Sequence, residues 1–169
     1  DQLAHYDALT GLPNRSLLMD RLEQSAERAN RHGKRVGVLY LDLDHFKQVN
    51  DTLGHAAGDA LLKEMAARMK SCIRAVDTVA RLGGDEFVVL VPDIESREDL
   101  AHVAAKIVES LAPPCSIEGR AVVTLASIGI SVYPDDGTDV HDVIRHADAA
   151  MYQVKQAGRG SYRFYDAAD

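Results

Sequence analysis

The spacing of apolar residues along the chain predicts five helices. They cover about residues 13–32, 45–50, 59–73, 96–111 and 138–158, where apolar side chains recur at intervals of three and four. Pro13 suits a first helical turn, and Gly54 and Gly58 predict a break before the helix that begins near Asp59. Thr138 is the expected cap of the last helix.

Between the helices, shorter apolar runs predict strands. Residues 36–41 form a nearly continuous apolar run, which is typical of a central strand covered on both faces. Residues 79–82 and 87–91 predict a hairpin, and 115–117, 122–132 and 161–165 predict further strands. The order of elements predicts an α/β (α+β) fold, with a central mixed sheet built around a βαββαβ core and flanked by helices.

Composition narrows the class of protein. The 169 residues suffice for one domain with an apolar core, and the mix of 46% hydrophobic and 27% charged residues is that of a soluble globular protein. A net charge of −7 argues against general nucleic-acid binding. Cys72 and Cys115 lack metal or redox spacing, and no long apolar stretch predicts membrane contact. We therefore expect a cytoplasmic domain.

Two pairs of acidic residues are candidates for one site. Asp85 and Glu86 follow Gly83-Gly84 at the tip of the predicted hairpin, where glycines allow a tight turn and close approach of a ligand. Asp42 and Asp44 end the central strand, beside which the hairpin is expected to lie. Such acids suit Mg²⁺, and two ions would support phosphoryl transfer. The alternatives are a solvated hairpin tip and an Asp44 that only caps the next helix.

Polar and cationic side chains around these acids have two explanations each. Lys47 follows a strand-to-helix turn that suits an anion, so it either binds a terminal phosphate or is solvated. Asn50, His55 and Asp59 either bind a base such as guanine or make a turn and a helix cap.

Two further charged patterns lie elsewhere in the chain. Lys155 and Arg159 suit either the negative end of the last helix or bound phosphates. Arg74 and Asp77, three residues apart, predict by themselves only a surface salt bridge.

Five runs, in this order, resemble the GGDEF family of diguanylate cyclases over essentially the whole chain. They are DALTGLPNR (7–15), LDLDHFKQVNDTLGHAAGD (41–59), RAVDTVARLGGDEF (74–87), SIGIS (127–131) and HADAAMYQVKQAGRG (146–160). The resemblance implies a fold of the nucleotide cyclase and polymerase-palm type. It also implies that two GTP condense into cyclic di-GMP, with release of two pyrophosphates.

The family's catalytic residues map onto the acidic pairs. By resemblance, Asp42, Asp85 and the Leu43 carbonyl are metal ligands, and Glu86 assists with a second ion. Asp85 is the candidate base for the ribose 3′-hydroxyl, with Glu86 left open as an alternative. The implied cofactor is Mg²⁺, with Mn²⁺ as an alternative, at two ions per active site. Lys47 is expected to stabilise charge on the phosphates.

The remaining site residues are also taken from the resemblance. Asn50, His55 and Asp59 are implied nucleotide contacts, with Asn50 and Asp59 on guanine, and Lys155 and Arg159 reach the phosphates. The substrate contacts are completed by Phe46, Gly83 and Gly84. Arg74 and Asp77 match the family's R-x-x-D site for inhibition by the product.

The resemblance also predicts partners and context. Residues 1–169 are expected to form a single GGDEF domain from a longer signalling protein. Residues 1–22 and the C-terminal YRFYD resemble GGDEF domains that are followed by an EAL phosphodiesterase domain, and a membrane-anchored parent protein is left open. Catalysis is expected to need a second GGDEF domain, as in a homodimer. Two alternatives stay open: a domain that binds GTP or cyclic di-GMP and regulates a phosphodiesterase without turnover, and an unrelated palm-type nucleotidyltransferase.

Overall fold

The computed structural model describes residues 2–168. The helices are α1 (Gln2–His5), α2 (Arg15–His32), α3 (Phe46–Leu53), α4 (His55–Ser71), α5 (Arg97–Leu111) and α6 (Val140–Gln156). The strands are β1 (Arg35–Leu43), β2 (Thr78–Gly83), β3 (Glu86–Ile94), β4 (Cys115–Ile117), β5 (Arg120–Val122), β6 (Ala126–Tyr133) and β7 (Tyr162–Phe164). The described helices are all too short or too polar to span a membrane.

A five-stranded sheet in the order β2-β3-β1-β6-β7 forms the centre of the domain. Its pairs are antiparallel except for β6 and β7, which run parallel. The mixed sheet flanked by helices confirms the predicted fold class, and β1 is the central strand as its apolar run predicts. Hence β1 ends between β3 and β6, and residues from all three strands meet there.

Helices cover both faces of the sheet. The side chains of Leu39, Leu41 and Leu43 pack in a core with residues of α4 and α5, whereas Val38 and Tyr40 pack with residues of α2 and α6. A methyl group at Gly129 of β6 would overlap the backbone of α6. Glycine at this position therefore lets α6 lie directly on the sheet, and the polar residues of α6 lie near the end of β1 as a result.

Two helices begin elsewhere than predicted. The helix α2 begins at Arg15 behind an Asn14 cap, whose side chain accepts a hydrogen bond from Leu17 N, so Pro13 lies before the helix. The helix α4 begins at His55, so Gly58 lies inside it and does not break it. A glycine this early in a helix is explained by tertiary contact, because a side chain there would collide with α3.

The region after α5 also departs from the prediction. The predicted strand over 122–132 is two strands: β5 pairs with β4 in a separate hairpin, and β6 belongs to the main sheet. The cap of α6 is Asp139, which accepts from His141 N, and not Thr138. Ser96 and Asp99 have the spacing of a capping box in the sequence, and the structure has this box at the start of α5.

Candidate active site

The end of β1 and the β2–β3 turn bring the two predicted acidic pairs together. Asp42 is the last residue but one of β1, and it lies opposite Glu86 on β3 and Ser127 on β6. Leu43 N donates to the Asp85 carbonyl at 3.2 Å, which ties the turn to the strand end. Residues 44 positions apart in the sequence thus form one acidic wall.

Asp42 is a largely buried carboxylate of this wall. Its Oδ2 lies 2.6 Å from the Lys155 ammonium, and the Asp42 side chain is 14% exposed. Its Oδ1 is buried and accepts no hydrogen bond from the described residues. An unpaired buried carboxylate oxygen is costly, so this atom marks a place where a cation or a proton is needed.

Asp85 lies against Asp42, and ionisation of both carboxyl groups in this partly buried place is unfavourable. Burial is the main cause that raises the pKa of Asp85 to about 7, and the hydrogen bond and charge of the Asp42 carboxyl group raise it further. Two ionised carboxylates cannot hydrogen-bond to each other, so Asp42 and Asp85 share a hydrogen bond only when one of them carries a proton. A cation that binds here would replace that proton.

The donor set fits a phosphate-bridged divalent ion. Among residues 2–168, no three acidic, imidazole or thiol side chains converge closely enough to hold a metal by themselves. Mg²⁺ commonly takes one or two carboxylates and completes its shell with phosphate oxygens and water. The free Asp42 Oδ1 and the adjoining Asp85 group match that requirement.

Asp44 does not cap α3, which was one alternative from the sequence. The residue before α3 is His45, in a left-handed conformation and without a side-chain cap. Asp44 is 3% exposed. Its oxygens accept from Ser127 Oγ at 2.7 Å and from Gly160 N at 3.1 Å. Asp44 therefore fastens the turn after α6 to the end of β1.

That fastening places the two cations of α6 and its following turn beside the acids. Lys155 bonds to Asp42, and Arg159 Nε lies 3.9 Å from Asp44 Oδ1. The Arg159 side chain is 42% exposed, so its guanidinium is accessible to a ligand. Both residues that were predicted to reach phosphates thus lie at the strand end.

The helices α3 and α4 touch where the predicted base contacts lie. A methyl group on Gly58 would overlap the Asn50 side-chain amide and approach the Phe46 ring. Phe46 is itself only 8% exposed and its side chain belongs to the core, so the ring is not open to a nucleotide. Glycine at 58 therefore leaves room for the Asn50 amide.

Three other predicted contacts are exposed. Lys47 lies in the first turn of α3, His55 begins α4, and Asp59 lies in the second turn of α4. Asp59 is not a helix cap, which removes the structural alternative for its carboxylate. Asn50 is within α3, and its carbonyl accepts from Gly54 N.

The hairpin turn is held by a side chain that the sequence analysis left without a role. Gly83 and Gly84 are exposed and have φ values of 143° and 50°, which favour glycine. Arg81 donates to the Gly84 carbonyl from Nη2 at 2.8 Å and to Asp7 Oδ1 from Nη1 at 2.9 Å. Asp7 also accepts from Thr10, through its backbone N and its hydroxyl.

We expect Asp7→Asn to lower the free energy of unfolding at pH 7 by about 1–3 kcal/mol, since a charge-assisted contact is lost. Burial opposes ionisation, but the hydrogen bonds from Thr10 and Arg81 hold the pKa of Asp7 below its ordinary value. This stabilisation is present above pH 3.8 and is lost as pH falls through the folded-state pKa.

Urea denaturation of both proteins from pH 7 to pH 2.5 measures this difference. The exposed Asp20→Asn on α2 is the control. A difference between Asp7→Asn and the native chain that stays constant across this range would contradict the assignment.

Arg74 and Asp77 form a tight pair at the start of β2. The Arg74 guanidinium donates to both Asp77 oxygens, at 3.2 and 2.9 Å, and this raises the pKa of Arg74. The Asp77 side chain is 1% exposed, whereas that of Arg74 is 60% exposed. Arg74 also borders an open cavity of about 380 Å³, whose rim includes Asp93, Glu95 and His102.

Two partners of these functional groups have no local signal in the sequence. Tyr40 donates to Glu86 Oε1 at 2.8 Å. Burial, Glu86 and then Asp42 raise the pKa of Asp148 on α6. The only available signal for Arg81 and Asp7 was their place within two of the quoted runs, and this does not reveal that they pair.

Comparison with known proteins identifies the family of this chain. The family model described as "Diguanylate cyclase, GGDEF domain" matches residues 4–161. The chain therefore belongs to the GGDEF domain family, as its sequence motifs predict.

Relatives within the family carry different names. The chain is 51% identical over 169 residues to the bifunctional diguanylate cyclase/cyclic di-GMP phosphodiesterase MucR of Pseudomonas aeruginosa, over 99% of this chain and 24% of MucR. It is 41% identical to the cyclic di-GMP phosphodiesterase NbdA of the same organism, over 97% of this chain and 21% of NbdA. The chain thus spans about a quarter of these curated relatives or less.

Solved structures confirm the fold. The crystal structure of the GGDEF domain of TpbB (YfiN) from Pseudomonas aeruginosa superimposes with a TM-score of 0.91 at 41% sequence identity. The match covers 93% of this chain and 98% of that one. The order of helices and strands described above is therefore that of a GGDEF domain.

Proposed function

We propose that this domain is a diguanylate cyclase, which condenses two GTP into cyclic di-GMP and releases two pyrophosphates. The observation that carries the proposal is the acidic wall at the end of β1. There a buried, unpaired Asp42 oxygen lies beside Asp85 on an exposed Gly-Gly turn. A domain without catalytic activity would not need a pair of carboxyl groups that lowers the stability of the fold.

The acids are proposed to hold Mg²⁺ or Mn²⁺, two ions per active site. Asp42, Asp85 and the Leu43 carbonyl are the proposed ligands, with Glu86 assisting. When bound, the ions would stabilise the negative charge that develops on the attacking and leaving oxygens. Lys155 lies beside the same acids, and it can bind the phosphates that arrive with the ions.

Asp85 is the proposed acceptor of the ribose 3′-hydroxyl proton. Burial beside Asp42 raises the pKa of the metal-free Asp85 to about 7, and a cation held by the two carboxylates would displace its proton and leave Asp85 ionised, able to accept the hydroxyl proton. The oxygen that loses this proton attacks the α-phosphorus of the other GTP, and pyrophosphate leaves. Lys47 and Arg159 are proposed to stabilise the charge on the phosphates.

Guanine is proposed to bind where α3 meets α4. Asn50 and Asp59 supply an amide and a carboxylate for the guanine edge, and His55 supplies a further nucleotide contact. An unpaired Asp59 carboxylate would disfavour adenine, which lacks the paired N–H donors of guanine. Phe46, Gly83 and Gly84 would contribute through their main chain.

Incubation of the domain with GTP and Mg²⁺, followed by chromatography of the products, tests this function. The proposal expects cyclic di-GMP and pyrophosphate from GTP, and no cyclic dinucleotide from ATP. GTP that binds and is recovered unchanged at every protein concentration would contradict it.

Arg74 and Asp77 are proposed to bind the product as an inhibitor. Arg74 is exposed beside an open cavity with an acidic rim, which suits the N–H donors of guanine. Because both Asp77 oxygens are held by Arg74, the carboxylate can accept from a ligand only if Arg74 turns outward.

We expect Arg74→Ala to abolish inhibition by cyclic di-GMP without lowering the initial rate. The variant is also expected to lose stability, because it leaves the buried Asp77 without its cation. Initial rates with and without added product measure the effect, and Arg74→Lys is the control that keeps the charge. An unchanged inhibition constant in Arg74→Ala would dismiss the inhibitory site.

The second candidate is a GGDEF domain that binds GTP or cyclic di-GMP and regulates a neighbouring phosphodiesterase without turnover. The name of the relative NbdA, a phosphodiesterase, favours it. Under either function we propose that the chain is one domain of a longer signalling protein that works in the cytoplasm, where GTP is available. A parent protein anchored in the membrane and an EAL domain after this one are both compatible with that proposal.

A further inference from the structure

Tyr40 is a buried side chain that the proposed chemistry does not use. It lies on β1, two residues before Asp42, and is 5% exposed. Its ring packs in the apolar layer shared with α2 and α6, while its hydroxyl donates to Glu86 Oε1 at 2.8 Å. The ring belongs to the core, but the hydroxyl reaches the acidic wall.

The strand register explains how a core residue reaches the site. Tyr40 pairs with Val88, and Asp42 pairs with Glu86. Tyr40 and Glu86 are therefore diagonal neighbours on one face of the sheet, a distance that only long side chains bridge. Phenylalanine would keep the ring in this apolar layer and would lack the hydrogen bond to Glu86.

Glu86 must be held in one conformation if it is to bind a ligand among the other carboxyl groups of the site. Its flexible side chain is only partly buried and shares the site with Asp42, Asp85 and Asp148. Repulsion among these carboxylates favours conformations of Glu86 that point into solvent. A donor on one oxygen opposes this, and it leaves the other oxygen for a ligand.

The phenol is suited to this work because it stays protonated. A phenol ordinarily loses its proton only near pH ~10. The hydroxyl therefore remains a donor throughout the neutral range. Carboxylates that bind metal ions are commonly held by such hydrogen bonds, and removing them weakens metal binding by roughly 10–100-fold.

We propose that Tyr40 is a positioning residue: its hydroxyl holds Glu86 Oε1, so that Oε2 is presented to the divalent cation that enters with the nucleotide phosphates. This inference rests on the proposed function. A residue on the core-facing side of β1 thereby affects the affinity of the site for metal ions. Tyr40 acts through Glu86 and touches neither substrate nor ion.

The chain offers a matched control in Tyr133. It is also 5% exposed in the same apolar layer, and its hydroxyl accepts a hydrogen bond from Asn30 Nδ2 at 2.8 Å. Tyr133→Phe and Tyr40→Phe each remove one buried, hydrogen-bonded hydroxyl, but only the latter frees an acid of the site. Their thermal midpoints are expected to fall by similar amounts.

The test is a titration of Mn²⁺, followed by electron paramagnetic resonance, in the presence of a GTP analogue whose α–β bridge cannot be cleaved. We expect Tyr40→Phe to raise the Mn²⁺ dissociation constant about tenfold, and Tyr133→Phe to leave it within about twofold of the native value. A Tyr40→Phe value within twofold of native would overturn the proposal, as would an equal effect of both variants.

A double-mutant cycle with Glu86→Gln identifies the route of the effect. In the Glu86→Gln background, Tyr40→Phe is expected to change the Mn²⁺ dissociation constant no further. A persistent tenfold loss there would show that Tyr40 does not act through Glu86. Failure of the proposed function is recognised separately, because a native domain that binds Mn²⁺ and the analogue but makes no cyclic di-GMP refutes catalysis and not the role of Tyr40.

Discussion

Replacing Asp85 with asparagine is expected to lower the rate of cyclic di-GMP formation by about 10²–10⁴-fold, the range found when a general base is lost. Asparagine fills the same space at the turn but can neither accept the proton nor replace a carboxylate as a metal ligand. The main-chain bond from Leu43 N to the residue 85 carbonyl does not depend on the side chain. We therefore expect activity to be lost from a folded protein.

The stability of this variant provides an independent check on the assignment. An acid whose pKa is raised by folding, from 3.8 to about 7, destabilises the folded state as pH rises through that interval. In chelator, Asp85→Asn is therefore expected to unfold at a higher temperature than the native domain at pH 8, and at a similar temperature at pH 4. Scanning calorimetry measures both, with the exposed Glu109→Gln on α5 as the control.

Two outcomes would contradict the role of Asp85. Retention of more than about a tenth of the native rate would remove it as the base and ligand. A lower unfolding temperature at pH 8 in chelator would show that the Asp42–Asp85 contact stabilises the fold, contrary to a site that keeps its acids for function.

The parts of the fold with local signals could be predicted from the sequence. The apolar run of β1 marks the central strand, the glycines mark the β2–β3 turn, and Ser96 with Asp99 marks the start of α5. From these alone, the acids of the turn could be placed beside β1. The β1–β3 register, with Asp42 opposite Glu86, agrees.

The rest depends on contacts between distant segments. Gly58 has the local signal of a helix break, but it lies within α4. The residue is glycine because the Asn50 side chain occupies the space that a Cβ atom would need. Asp44 has the local signal of a cap, but it bonds to Gly160, which is 116 positions away. Local patterns cannot distinguish these roles, because the partner that decides between them is supplied only by the folded chain.

The site's electrostatics were the least predictable feature. The sequence shows that Asp42, Asp85 and Lys155 are charged, but not that Lys155 pairs with one Asp42 oxygen while the other stays unpaired. Likewise, Arg81 and Asp7 lie 74 positions apart and meet only because β2 runs beside the N-terminal segment.

Tenfold dilution of the domain is expected to lower the rate of cyclic di-GMP formation about hundredfold while monomers predominate, since we propose that two copies must meet for catalysis. The acidic wall lies beside an exposed turn, and we propose that each domain holds one GTP. Cyclic di-GMP has two equivalent phosphodiester bonds, so a two-fold pair of domains supplies one acidic wall for each. A rate that falls only tenfold would show that single copies complete the reaction.

Mixing native and Asp85→Asn domains tests most directly the claim that each copy supplies half of the active site. With the native concentration fixed and the variant in excess, mixed pairs should form one of the two bonds. We predict that cyclic di-GMP declines and that the linear dinucleotide with a 5′-triphosphate accumulates, both measured by mass spectrometry. An unchanged yield of cyclic di-GMP per native domain, with no linear product, would contradict the account.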